Sequence, residues 1–199
     1  VGIGVAGLVD LESGVSLNSP NLGWSNVPLR EMFKKRLDFP VVIDNDVKAM
    51  SLGEHWFGSG QGVDNLVCIN VGAGLGAGII VGGNIYRGVT GSAGEVGHSV
   101  VKVDGPLCRC GNKGCLESLV GANAIAREGL EAVRLGVPTS ISDFLEDGKD
   151  TVTPESVCLA AASGDKVSLE ILGNVARYLG IGIANVVNAY NPQRVVLEI

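Results

Sequence analysis

Aromatic residues are scarce in this chain: four Phe, two Trp and three Tyr among 199 residues, 5% in all. Rings cannot fill much of the interior, so the 30 glycines and the alanines must do much of the close packing. That is the habit of α/β folds, whose helices sit tightly on sheets. Basic clusters are scarce too. Lys34-Lys35-Arg36 is a short run that reads as a solvated helix face, and the net charge is −6. Nothing of this kind holds a nucleic-acid phosphate backbone. No apolar stretch approaches the ~20 residues of a membrane span, so no membrane partner is expected. No signal peptide is visible at the start. A spread, paired cysteine framework is also lacking. Five cysteines is an odd number, and three of them fall between 108 and 115. Clustered cysteines point away from secreted disulfides and toward a metal in a cytoplasmic protein. Cys68 and Cys158 stand in apolar surroundings and read as small buried hydrophobes.

What remains is a globular composition, 46% hydrophobic and 18% charged. It can build one large or two small domains. Val1, Ile3 and Val5 alternate with small residues as a strand. Arg194 to Ile199 reads as another strand after the Asn191-Pro192 break. A chain that opens and closes mid-strand is expected to be an internal fragment, incomplete at both ends. Between the ends the pattern predicts a helix over 27–37, a short strand over 41–43, and a helix to about Phe57 with Ala49, Leu52 and Trp56 on one face. Strands follow at 66–71 and 77–81, and Gly82-Gly83 turns the chain into a further strand at 84–86. A strand is expected over 99–103. From Ser118 the chain reads as mostly helical, ending in a long helix over 166–189 that uses Gly180 and Gly182 for close packing. A polar connection is expected over 143–154.

Three motifs carry chemistry. The first is His98-x9-Cys108-x-Cys110-x4-Cys115. One imidazole and three thiolates make a closed tetrahedral shell for zinc, with no position left for water, which predicts a structural site. Gly111 and Gly114 let the loop turn around an ion. Glu95 and Glu117 flank the set and are not needed in the shell. The imidazole nitrogen that does not face the metal can donate a hydrogen bond, so these groups together could read a polyol.

The second motif is Asn45-Asp46, which opens a helix. An aspartate there can be a cap. It can also be a general base beside an amide that hydrogen-bonds sugar hydroxyls. The third is Gly72 to Gly78, which follows a strand. It either exposes backbone N–H groups to an anion or forms a tight hairpin, and it lacks the Walker pattern.

Val71-Gly72-Ala73-Gly74-Leu75-Gly76-Ala77-Gly78, Gly91-Ser92-Ala93-Gly94-Glu95-Val96-Gly97-His98, and Cys108-Arg109-Cys110-Gly111-Asn112-Lys113-Gly114-Cys115-Leu116-Glu117 together resemble the ROK family. That family joins bacterial sugar-responsive repressors and ATP-dependent sugar kinases. Asn45-Asp46 and Asn21-Leu22-Gly23-Trp24 fit as well. The resemblance implies an actin-like ATPase (ribonuclease H-like) α/β fold with two lobes around a cleft. Residues 1–65 would belong to the N-terminal lobe, with its first strands missing. Residues 66–199 would form the C-terminal lobe, with a zinc loop at 98–115 and a helical segment at 118–190. It implies structural Zn2+ on His98, Cys108, Cys110 and Cys115. It implies a sugar site of Asn45, Asp46, Glu95, His98 and Glu117, and it sets Gly72, Ala73 and Gly74 near nucleotide phosphates.

Kinases of the family carry Gly-Thr-Gly where this chain has Gly72-Ala73-Gly74, and they often have a small or amide residue where Lys48 stands. The resemblance therefore implies the effector region of a ROK transcriptional regulator that binds a hexose or amino sugar. Its alternative is an ATP- and Mg2+-dependent sugar kinase, glucokinase-like or acting on N-acetylhexosamines, with Asp46 as general base. As a fragment, the chain is expected to be inactive by itself. DNA would be met only through an N-terminal domain outside the chain. A homo-oligomer, dimer or tetramer, is also implied.

Overall fold

The structure is a computed structural model, and it describes residues 1–145 and 151–199. Residues 146–150 of the expected polar connection lie outside the described residues. The chain forms two compact units that interleave in sequence. One comprises Val1–Asn70, Gly76–Glu95 and Asn191–Glu198. The other comprises Val71–Leu75 and Val96–Tyr190, with Ile199. The boundary drawn from the sequence, by contrast, runs at 65/66.

The first unit is built on three sheets. Strand β1 (Gly2–Val5) pairs in parallel with β5 (Val42–Asn45). Strands β2 (Leu8–Asp10), β3 (Val15–Ser19) and β4 (Trp24–Val27) form an antiparallel meander. The third sheet has the order β8-β7-β6-β9, with β6 at Leu66–Val71, β7 at Leu75–Val81, β8 at Asn84–Tyr86 and β9 at Arg194–Glu198. Strand β6 is buried from Leu66 to Ile69 and pairs in parallel with β9. A run buried this way reads as continuous apolar residues rather than alternating ones. Gly82 and Gly83 both have positive φ, 56° and 76°, as a two-residue hairpin turn requires.

One core joins Val5, Val9, Leu29, Val41 and Ile43; another joins Leu66, Cys68, Ile80 and Val196. Each such side chain contributes about 1.5–3 kcal/mol by leaving water. Helix α1 is Leu29–Lys34, shorter than the 27–37 expected. Asn26 in the left-handed region at φ 51° and Pro28 as N-cap delay its start. Helix α2 is Asp46–Phe57, and it buries Lys48 and Ser51. The expected apolar face is corrected here: Trp56 is 56% exposed and packs edge-on against Phe57.

The second unit holds α3 (Glu117–Val120), α4 (Ala122–Arg134), α5 (Pro154–Ala162) and α6 (Lys166–Tyr190). Helix α5 opens with Pro154 and a capping box of Thr153 and Ser156. Its core is Ile141, Val152, Val157 and Ala160. The expected strand over 99–103 is absent. Val100 makes only an isolated bridge with Cys115, because the Val101 and Lys102 N–H groups both turn onto the Gly114 carbonyl. Cys158 is exposed, against expectation, while Cys68 is fully buried.

Helix α6 packs against α3, α4 and α5. Gly182 lies where any side chain would run into Leu116, whereas Gly180 faces open space. By length and composition α6 is the one helix among the described residues able to cross a membrane, at mean hydropathy 1.2. Length and composition alone are weak grounds for a span, and α6 packs against three other helices of its own unit. Glu170, Asn174 and Arg177 interrupt the run, so it escapes notice residue by residue.

Candidate functional site

The second unit brings the four expected metal ligands together. One ligand atom from each of His98, Cys108, Cys110 and Cys115 lies within 4.8 Å of all the others. His98 ends a 3-10 turn at Val96–His98, and its Nδ1 is 3.6 Å from Cys108 Sγ. Cys110 Sγ and Cys115 Sγ are also 3.6 Å apart. A tetrahedron with metal–sulfur bonds of ~2.3 Å has an edge of roughly 3.7 Å, so the donor set fits a metal ion of that coordination. The loop can close this way because Gly111 (φ 94°) and Gly114 (φ 72°) adopt left-handed backbone. Cys108 N donates to Asn112 O and Gly111 N to Cys108 O, a tight knuckle around the sulfurs.

Electrostatics shows what the cluster lacks without a cation. Burial, then the neighbouring Cys110 and Cys108 thiols, push Cys115 up to about 12. Burial raises Cys108 as well, while a backbone hydrogen bond at Asn112 leads in lowering Cys110. A cation would remove the penalty of gathering three thiolates.

Glu117 opens α3 two residues after Cys115. Its Oε2 accepts the Leu75 N–H at 2.9 Å, and its Oε1 lies 4.0 Å from Cys108 Sγ. It therefore connects the cysteine loop to the glycine turn. That turn is a hairpin bend between β6 and β7. Gly72 N donates to Gly74 O at 2.8 Å, and Ala122 N donates to Gly72 O at 3.0 Å. Two of the four N–H groups from Gly72 to Leu75 are thus spent within the protein, and Ala73 brings no hydroxyl. Ala73, Cys108, Arg109, Glu117, Asn123 and Arg127 are among the residues that line a cavity of about 110 Å³.

In the first unit Asn45, not Asp46, is the N-cap of α2. Its Oδ1 accepts Lys48 N at 3.0 Å, and its Nδ2 donates to Gly7 O and to Asp46 Oδ1. Both amide hydrogens are engaged, which leaves a lone pair on Oδ1 for a ligand. Asp46 Oδ1 also accepts Val47 N, while Oδ2 has no hydrogen bond among the described residues. Glu95 is exposed and follows Gly94, whose carbonyl accepts Ala77 N.

Beside these stand three groups to which the sequence reading gave no role in the site. Lys48 is 4% exposed and donates from Nζ to Gly91 O at 2.7 Å. Arg87 grips Asp44 with two hydrogen bonds, at 2.9 and 2.7 Å. Burial holds the Lys48 ammonium below its ordinary value; the Glu95, Asp44 and Asp46 carboxylates oppose that, and Arg87 adds to it. Two cations among the acidic residues of 44–46 and 95 were the available signal.

The sequence pattern of the ROK family matches residues 1–198. The chain belongs to the ROK family. This match takes in nearly the whole of the given sequence. The chain is 41% identical over 197 residues to a xylose repressor of Caldicellulosiruptor bescii, covering 99% of this chain and 49% of that protein. It thus spans about half the length of that relative. Among solved structures it is similar to a ROK family transcriptional regulator, a homolog of the E. coli MLC protein. The identity is 36% and the TM-score 0.86, with 98% of this chain and 48% of that one covered. A ROK family glucokinase from Streptomyces griseus, solved with glucose and AMPPNP, gives 37% identity and a TM-score of 0.87, with 99% and 64% covered. The ROK chain described here thus has the actin-like sugar-kinase fold, with a His/Cys cluster able to hold a metal ion.

Proposed function

We propose that this ROK chain is the sugar-binding effector region of a transcriptional regulator, with a structural zinc ion on His98, Cys108, Cys110 and Cys115. Each unit offers its own sugar-contacting groups. Asn45, Asp46 and Glu95 supply acceptors in the first. His98 and Glu117 supply an imidazole N–H and a carboxylate in the second. The zinc would fix the cysteine loop and, with it, the His98 ring. The sugar is a hexose, an amino sugar or, as the name of the xylose repressor relative indicates, a pentose. Five free cysteines suit a reducing, cytoplasmic setting.

The observation that carries the regulator reading is the Gly72–Leu75 turn. Ala73 offers no hydroxyl to a phosphate, and the Gly72 and Leu75 N–H groups are already bonded to Gly74 O and Glu117 Oε2. A site made for phosphoryl transfer depends on such donors to hold the nucleotide in line. A second reading, an ATP- and Mg2+-dependent sugar kinase, is favoured by Asp46. Its Oδ2 would accept a hydroxyl proton, and the glucokinase likeness is as close as the regulator one. In that reading Gly72, Ala73 and Gly74 would lie near the phosphates.

Calorimetric titration with a panel of pentoses, hexoses and N-acetylhexosamines tests sugar binding. At least one sugar should bind saturably. Asp46→Ala and Glu117→Ala should each weaken it by about tenfold or more, the cost of one hydrogen bond to a charged group. No saturable heat from any sugar would refute the proposal.

A further inference from the structure

Lys48 stands where stability alone would not put it. It is the third residue of α2, where the positive end of the helix dipole disfavours a cation. It is also 4% exposed, and a buried ammonium is costly unless it is paired. Its surroundings answer that cost. Nζ donates to Gly91 O at 2.7 Å, and the carboxylates of Glu95, Asp44 and Asp46 all act on it.

Gly91 belongs to the stretch Arg87–Glu95, which has no regular structure after β8. Three of its residues, Gly88, Gly91 and Gly94, have positive φ, so the stretch has little conformational preference of its own. It is tied down at intervals: Arg87 to Asp44 by a bidentate pair, Gly91 to Lys48, and Gly94 O to Ala77 N at 2.8 Å. The first two ties run to residues 44 and 48, which bracket Asn45-Asp46. Glu95 ends the tied stretch.

We propose that Lys48 is a positioning residue for the sugar-contacting carboxylates. It anchors the Arg87–Glu95 stretch through Gly91 and offsets the repulsion between Asp46 and Glu95, so that both are set before the sugar arrives. With Lys48 and Arg87 against Asp44, Asp46 and Glu95, the cluster carries a single net negative charge, so the carboxylates can serve as hydrogen-bond acceptors without gathering three uncompensated charges. The tether stands on the structure alone; the effect on sugar rests on the sugar-binding reading above.

Three variants separate the parts. Lys48→Met removes charge and hydrogen bond, Lys48→Gln keeps a donor without charge, and Lys48→Arg keeps both. Amide hydrogen exchange of residues 88–95 without ligand reads the tether. It should speed up at least about tenfold in Lys48→Met, as expected for the loss of a charge-assisted hydrogen bond, and return toward wild type in Lys48→Arg. Sugar affinity reads the charge. It should fall by about tenfold in Lys48→Met and in Lys48→Gln and recover in Lys48→Arg. If Lys48→Met does not fold, Lys48→Gln carries the affinity comparison, and its exchange should stay nearer wild type. Exchange in Lys48→Met equal to wild type, or in Lys48→Ala should Lys48→Met not fold, would overturn the tether. Unchanged affinity in Lys48→Gln would overturn the charge role. If the wild type binds no sugar, the sugar reading fails, and exchange still decides the tether.

Discussion

At the scale of single residues, charge and proton placement make the firmest predictions. Asp165 works as a clasp between the start of α6 and Thr139-Ser140, some 25 residues upstream. Burial would raise its pKa, but hydrogen bonds from Ser168, Ser140 and Thr139 outweigh that and hold it down to about 2. The folded value is the depressed one. The stability it lends is therefore complete above the ordinary aspartate value of 3.8 and is lost as pH falls toward 2. Asp165→Ala should cost about 1 kcal/mol at pH 7, as a lost helix cap does, and should flatten the acid limb of a urea-melt pH profile. Cys115 works in the opposite sense. Its raised thiol and that of Cys108 must each give up a proton to any metal, so metal affinity should fall by at least about a hundredfold per pH unit on acidification below pH 8. Competition with a chromophoric chelator at pH 6, 7 and 8 measures this; a flat profile would exclude thiolate ligation. The metal residues were legible because all four fall within eighteen positions, 98 to 115. Lys48 was not, because nothing local to a lysine announces that other elements will bury it.

Elements explain how these residues are held. Helix α2 lies so close on β7 that a side chain at Gly78 would strike Ser51 and approach the Val47 carbonyl to 3.1 Å. Gly78→Ala should therefore destabilise the fold by about 1–3 kcal/mol in chemical denaturation, the range for overpacking a tight contact. The cysteine loop and the glycine turn are likewise joined, through Glu117 and the Leu75 N–H. Removing metal with a chelator should make the Leu75 amide exchange faster, and unchanged exchange would mean that the turn does not depend on the loop. Strands β6 and β7 were readable as apolar runs, and β8 from the Gly82-Gly83 turn before it. The β2–β4 meander was not, because its strands of three to five residues carry Asp10, Asn18 and Asn26 beside polar turns. Trp56 shows the limit of periodicity. Helical spacing puts it with Ala49 and Leu52, yet α2 turns Lys48 and Ser51 inward instead.

For the whole molecule, the matter to decide is whether a ROK chain with an intact Asp46 binds sugar in order to respond or in order to react. Regulator and glucokinase relatives have this fold in common, with TM-scores of 0.86 and 0.87, so shape does not separate them. The separation rests on chemistry at the Gly72–Leu75 turn, where a hydroxyl is absent and donors are already engaged. The most direct measurement is an ADP-release assay on the full-length protein with Mg2+-ATP and each sugar that calorimetry shows to bind. The regulator reading predicts no sugar-dependent ADP release at saturating sugar. Sugar-dependent release that disappears in Asp46→Asn would contradict it and establish the kinase reading.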